Sequence, residues 1–323
     1  MSMTGELRLG FIPLVDAAPL IVAQEKGFFA QQGLSVALSR EGSWATIRDK
    51  VSAGALDGAH MLAPMVLAAS LGVGSEPRAM IAPLALNQGG AAVTLSTRLT
   101  GDGEPGARLA HLARRRQEEG ASPLTLAVVY PYSIHNYLLR HWMAGLGLNP
   151  DVDVRLTVAP PSRTADLLAE GVIEGFCAGA PWNAVAEAAG VGQTVARIGD
   201  VWPSAPDKVL GVTEFWAAAN PAALRALLRA LIAAAAWAAD VGNKTELAAM
   251  LSRPEYLGVT PQAILASLGE ICFTGGEVNP PRPEQAHWLL EQMTRWGQIG
   301  EVASDKVAER TWRPDLYLAA EGG

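Results

Sequence analysis

Cysteine is scarce in this chain. Two occur among 323 residues, Cys177 and Cys272. They form no CxxC pair and have no metal-ligand spacing, which excludes a disulfide framework. Basic charge is also short. The 25 Lys and Arg face 32 Asp and Glu, for a formal net charge of −7. Nucleic-acid binders ordinarily carry a basic face, so direct binding of DNA or RNA is not expected. Internal repeats and low-complexity segments are absent. The most apolar segment, residues 222–239, is interrupted by Arg225 and Arg229. It reads as a packed Ala-rich helix, not a membrane span. The start, MSMTGELRLGFIP, shows no basic n-region, no apolar h-region and no lipobox-type Cys. The expectation from this is a cytoplasmic protein, or a periplasmic one if a signal peptide was removed.

Hydrophobic residues make up 50% of the chain, enough for a large core and two domains. The richest stretch is residues 41–64, EGSWATIRDKVSAGALDGAHMLAP. Ser43 is a good N-cap, and the helical pattern after it runs through Ile47, Arg48 and Val51 to Gly54. LDGAH returns to a short buried strand, and Pro64 opens the next helix at its first turn. Strand, helix, strand, helix is the order of a parallel α/β sheet. Such sheets place sites where strand C-termini meet helix N-termini, whose free N–H groups suit a small anion.

The same order extends along the chain. Residues 7–12 and 34–39 read as strands around a helix at 19–29 that ends near Gly33. Strands follow at 78–86 and 91–96, separated by the turn Asn87-Gln88-Gly89-Gly90. A polar, Gly-rich stretch at 100–106 leads into a charged helix through Arg114, Arg115 and Arg116. Residues 124–129 are a strand, and Ser133 caps a helix at 134–145. A strand at 152–158, a helix at 162–169 and a strand at 173–177 follow. Pro181-Trp182 opens another helix, and 208–212 is the last strand. From Asn220 the pattern is helical to the end.

Several of these segments resemble one family. GFIPLVDAAPLIVAQEKGFFAQQGL, SWATIRDK, LDGAHMLAPM, SIHNYLLRHW, GFCAGAPWN, DKVLGVTEFW and EQMTRWGQI are similar to the nitrate-binding branch of the solute-binding proteins that serve ABC transporters. The resemblance covers nearly the whole chain. It implies a periplasmic-binding-protein-like fold of type II, with two α/β lobes, a hinge and an interlobe cleft that closes on a ligand. One lobe is expected from residues 1–92 plus 208–323, the other from 93–207.

The resemblance also implies a site. Trp44 and Thr46 stand in a helix first turn, where the family's Trp contacts nitrate. Without the family, Trp44 is an ordinary buried Trp. His135 follows the cap Ser133; it is either a surface residue at a helix end or an anion donor. His60 is expected to pack beneath the site. Lys208 stands where the nitrate-binding relatives place their cation and the bicarbonate-binding ones a carboxylate that helps hold calcium. That favours a monoanion without metal, and no cofactor is expected. In an empty, open cleft the Lys208 ammonium is expected to be hydrated. Relatives tend to place a Gly-Gln or Gly-Asn pair near Gly89. Here Gln88 is displaced by one position, so that contact is either lost or made by Asn87, Gln88, Gly89 or a backbone N–H. Ala180 replaces a carboxylate of the family's GEPWN motif.

An enzyme on this fold would need a reactive Cys177 or a metal. Cys177 has no evident His–acid partner, and the Cys-rich motif of the thiamine-precursor relatives is absent. His111, His141 and His287 lack ligand spacing. The expectation is a non-enzymatic protein that binds a small inorganic oxyanion, nitrate or nitrite. Lacking a leader, it resembles the cytosolic nitrate/nitrite sensors. Those hold an RNA-binding antiterminator of the ANTAR class in the ligand-free state. The alternative is the substrate-binding component of an ABC transporter for nitrate, bicarbonate or a sulfonate, docking on membrane subunits.

Overall fold

The structure is a computed structural model, and it describes residues 5–99, 104–300 and 304–322. The strand β1 (Leu7–Phe11) pairs in parallel with β2 (Val36–Arg40) and with β3 (Gly58–Leu62). Later in the chain come β4 (Met80–Ala85), β5 (Gln88–Gly89), β6 (Ala91–Ser96), β7 (Leu124–Val128), β8 (Val154–Val158), β9 (Gly175–Gly179), β10 (Gly192–Arg197), β11 (Lys208–Thr213) and β12 (Ile271–Cys272). They form two five-stranded sheets, ordered β2-β1-β3-β11-β4 and β10-β6-β9-β7-β8, plus the small pair β12-β5.

The fold class is the α/β, periplasmic-binding-protein-like one expected, but the sheets are mixed rather than parallel. β11 enters between β3 and β4 and runs antiparallel to both. β6 runs antiparallel to β9 and β10. The central strands β3, β4, β6 and β9 are buried at every position. That burial explains their largely apolar composition, interrupted by His60 in β3 and by Thr94 and Ser96 in β6.

Several local expectations need correction. The helix expected at 19–29 is two helices, Ala18–Glu25 and Phe28–Gln31, because Gly27 adopts φ 73° between them. Residues 87–90 are not a free turn. Gln88 and Gly89 pair with Cys272 and Ile271 across the β5–β12 ladder. A side chain at Gly89 would collide with the Glu270 carbonyl. The strand β10 and the short strand β12 were not anticipated. Within the expected 100–106 stretch, residues 100–103 lie outside the described ones.

The helix Ile134–Gly145 begins where Ser133 accepts the Asn136 N–H. The helix Trp44–Ser52 begins likewise, with Ser43 accepting the Thr46 N–H at 3.1 Å. Pro221–Ala239 is long and apolar enough to cross a membrane, yet more than half of its apolar window is buried inside the protein.

The two sheets face each other across close contacts. The Trp182 indole N–H donates to the Pro13 carbonyl at 3.2 Å. The Val15 N–H donates to the Ala180 carbonyl at 2.9 Å. Arg48 reaches the Tyr130 hydroxyl at 2.8 Å.

Candidate functional site

Lys208 opens β11, opposite Leu62 of β3. Its backbone N–H donates to Asn87 Oδ1 at 3.2 Å, so Asn87 anchors the strand that presents the lysine. The expectation of a hydrated ammonium is wrong for this conformation. Lys208 is completely buried. Its Nζ lies 2.8 Å from Asp16 Oδ2 and 2.6 Å from Asp207 Oδ2. Burial alone would lower the lysine, but the two carboxylates outweigh it and hold the ammonium charged.

Neither Asp16 nor Asp207 was anticipated from the sequence. Asp16 sits in the short helical turn Val15–Ala17. It is the sole ionisable residue between Arg8 and Glu25, a signal that was available, since buried carboxylates need partners. Its other oxygen lies 2.8 Å from His60 Nε2. His60 Nδ1 accepts the Ile12 N–H at 3.5 Å, so Nε2 carries the proton and donates it to Asp16. Burial would raise Asp16, yet Lys208 and His60 hold it well below the usual carboxylate range. His60 thus supports the carboxylate that supports Lys208. Burial lowers its own tendency to charge, against the pull of Asp16.

Asp207 is less well supported. Its contact with Lys208 is an ion pair by distance, without the alignment of a hydrogen bond, and Oδ1 has no partner. Burial pushes it up to about 6; Lys208 opposes this and the Asp16 charge adds to it. His135, in the first turn of Ile134–Gly145, arrives from the second sheet. Its Nε2 is 3.8 Å from Asp207 Oδ2, and neither ring nitrogen has a hydrogen-bond partner. Burial, helped by the Lys208 charge, keeps it neutral. Gly179 leaves the room that these groups share. A Cβ there would stand 3.3 Å from Asp16 Oδ2 and 3.5 Å from His135 Nε2.

Trp44 closes the cluster. Lys208 Nζ lies 5.7 Å from its ring centroid, and the His60 ring is 5.3 Å away. The Trp44 Nε1–H is buried without a partner. Thr46 does something simpler: its hydroxyl lies 2.9 Å from Ser43 Oγ in the helix cap. Gln88 and Gly89 are elsewhere. They line a cavity of about 530 Å³ with Arg197, Glu270 and Cys272. Among the described residues no hydrogen bond joins either to the Lys208 side chain. Cys177 is buried, and burial, then Asp207, pushes its thiol far up, so no thiolate forms.

The structure therefore gathers Trp44, His135 and Lys208, with Asn87 behind them, and leaves Thr46, Gln88 and Gly89 outside the charged cluster. Among the described residues no group of three or more His, Cys, Asp or Glu is arranged to hold a metal ion.

Comparison with known proteins places this geometry in context. The NMT1-like family matches residues 2–252. The bicarbonate transport ATP-binding protein CmpC of Synechocystis sp. is 38% identical over 97% of this chain and 49% of its own length. The nitrate/nitrite binding protein NrtA of Synechococcus elongatus is 32% identical over 97% of this chain and 76% of its own. The crystal structure of the periplasmic nitrate-binding protein NrtA from Synechocystis superimposes with a TM-score of 0.91 at 27% identity, covering 99% of this chain and 89% of that one. The desulfurization enzyme DSZB shares the fold at a TM-score of 0.65 and 15% identity. Architecture alone therefore does not separate binding from catalysis. The chain spans about half the length of CmpC.

Proposed function

Because the chain belongs to the NMT1-like family, we propose that it is the ligand-binding component of an ABC-type import system for a small oxyanion, with nitrate or nitrite first. One observation carries this reading. A charged Lys208, an unpartnered Trp44 N–H and an unpartnered His135 imidazole converge, although they come from both sheets. Buried donors without partners are rare, and a small anion would satisfy them. The lobes that close on it are 1–92 with 208–323 and 93–207. The names of these relatives favour transport over the cytosolic sensor reading. One relative is named for bicarbonate transport and another for periplasmic nitrate binding, so membrane transport subunits are the proposed partner and the periplasm the proposed place of work.

The site is equipped for binding rather than catalysis. Cys177 stays a thiol, and His60 is committed to Asp16. Calorimetric titration with nitrate, nitrite, bicarbonate and methanesulfonate tests the ligand. Saturable binding of nitrate or nitrite, tighter than of the other two, is expected. A sulfonate or bicarbonate bound in preference would reassign the ligand, and binding of none of the four would overturn the reading.

A further inference from the structure

We propose that this site takes up one proton with each monoanion it binds and that Asp207 receives it; the proposal rests on the oxyanion reading above. The charge count carries the argument. Two carboxylates, Asp16 and Asp207, face one ammonium at 2.8 and 2.6 Å, and all three side chains are buried to 1% exposure or less. A monoanion beside Lys208 would make three negative charges around one cation away from water, where like charges repel strongly.

A proton on Asp207 resolves this. It comes from solvent and forms an O–H bond at Oδ1, the oxygen that has no partner. The neutral carboxyl group then gains an O–H that can donate a hydrogen bond to an acceptor such as the anion. Lys208 is freed from one of its two counter-charges, and its N–H becomes available. Asp16 cannot play this part, because Lys208 and the His60 Nε2–H each hold one of its oxygens.

The other groups facing Asp207 are limited. Lys208 on β11 is already charged. Cys177 on β9 already carries its proton. His60 on β3 would lose the Ile12 N–H contact if its Nδ1 were protonated. His135, at the start of the helix Ile134–Gly145, is the one rival acceptor among the described residues, since both its nitrogens lack partners. Burial and the Lys208 charge oppose an imidazolium there, whereas burial and Asp16 already push Asp207 toward its neutral form.

The experiment is calorimetric titration of the whole protein with nitrate at pH 5.5, 7 and 8. Each pH is run in two cationic buffers of different ionisation enthalpy, so that the difference in heat counts protons. Close to one proton taken up per nitrate is expected at pH 8. Affinity should fall by about tenfold from pH 7 to pH 8. Asp207→Asn should abolish the uptake and flatten the pH dependence, while His135→Gln should weaken nitrate binding yet keep close to one proton taken up per nitrate bound. Nitrate binding by the wild type without proton uptake at pH 8 would overturn the proposal and leave the oxyanion reading standing. So would uptake that survives in Asp207→Asn and disappears in His135→Gln. Absence of nitrate binding at all three pH values, together with no binding of nitrite, bicarbonate or methanesulfonate, would overturn both.

Discussion

Lys208 and Arg197 each hold a carboxylate oxygen at under 3 Å, yet the two pairs are different objects. Lys208 is sealed between Asp16 and Asp207, with no part of it reaching solvent. Arg197 meets Glu270 at 2.7 Å beside the Gln88–Gly89 strand, with side chains 48% and 22% exposed. In the first pair, desolvation and Coulomb attraction are both large and nearly cancel. In the second, both are small. Similar distances therefore predict very different responses to mutation, pH and salt.

Removing the buried cation is expected to have the largest effect. Lys208→Met strands two carboxylates in the interior, and loss of one partner of a buried ion pair costs about 3–5 kcal/mol. Urea unfolding of the ligand-free protein at pH 7.5 measures it. A loss below about 1 kcal/mol would show that the cluster opens to water without ligand, and would erase the contrast with Arg197.

Acid sensitivity comes next. His60 and His135 are held below their usual value mainly by burial. A histidine depressed in the fold contributes stability that is present above its unfolded value of about 6.5 and is lost as pH falls below that. Each such histidine contributes a slope of about 1.4 kcal/mol per pH unit. Asp207, pushed up to about 6, acts in the opposite sense, because the folded state gains its proton first. His135→Gln should therefore flatten the loss of stability between pH 6.5 and 5 by roughly one proton's worth. Unfolding curves at the two pH values decide it; an unchanged slope would mean that the His135 ring is solvated.

Trp44→Phe sharpens the same contrast with a smaller change. It keeps the flat face and removes a buried N–H that has no hydrogen-bond partner. Anion affinity should drop by about tenfold, the worth of one hydrogen bond to a charge, with the unfolding midpoint unchanged. Unaltered affinity would take the indole out of the binding site.

Arg197→Ala is expected to do least. A half-exposed pair is worth about 0–1 kcal/mol, and that small value should vanish in 1 M salt. A loss above about 2 kcal/mol that persists in salt would mean that Arg197 and Glu270 lock the β5–β12 edge.

Much of the fold was legible because its signals are local. Ser43 and Ser133 cap the helices they were expected to cap. The apolar runs became buried strands. What escaped were features without local signals. β10 is an edge strand of six residues, of which only Gly192 and Ala196 are buried. β12 is two residues long and exists because Gly89 lets Glu270 approach. The direction of β11 depends on which neighbours it joins after a separation of more than a hundred residues.

The site divides in the same way. The sequence by itself determined the residue types that stand at the strand ends and helix starts: Trp44 after its cap, His135 after its cap, Lys208 at the head of the returning strand. Tertiary structure alone decided how those groups are charged. Asp16 and Lys208 are 192 positions apart in sequence and 2.8 Å apart in space. Whether a lysine is a free cation for an anion or one member of a buried triad depends on what shares its low-dielectric surroundings. That is a property of long-range packing, since the interaction falls with distance through space and takes no account of separation along the chain.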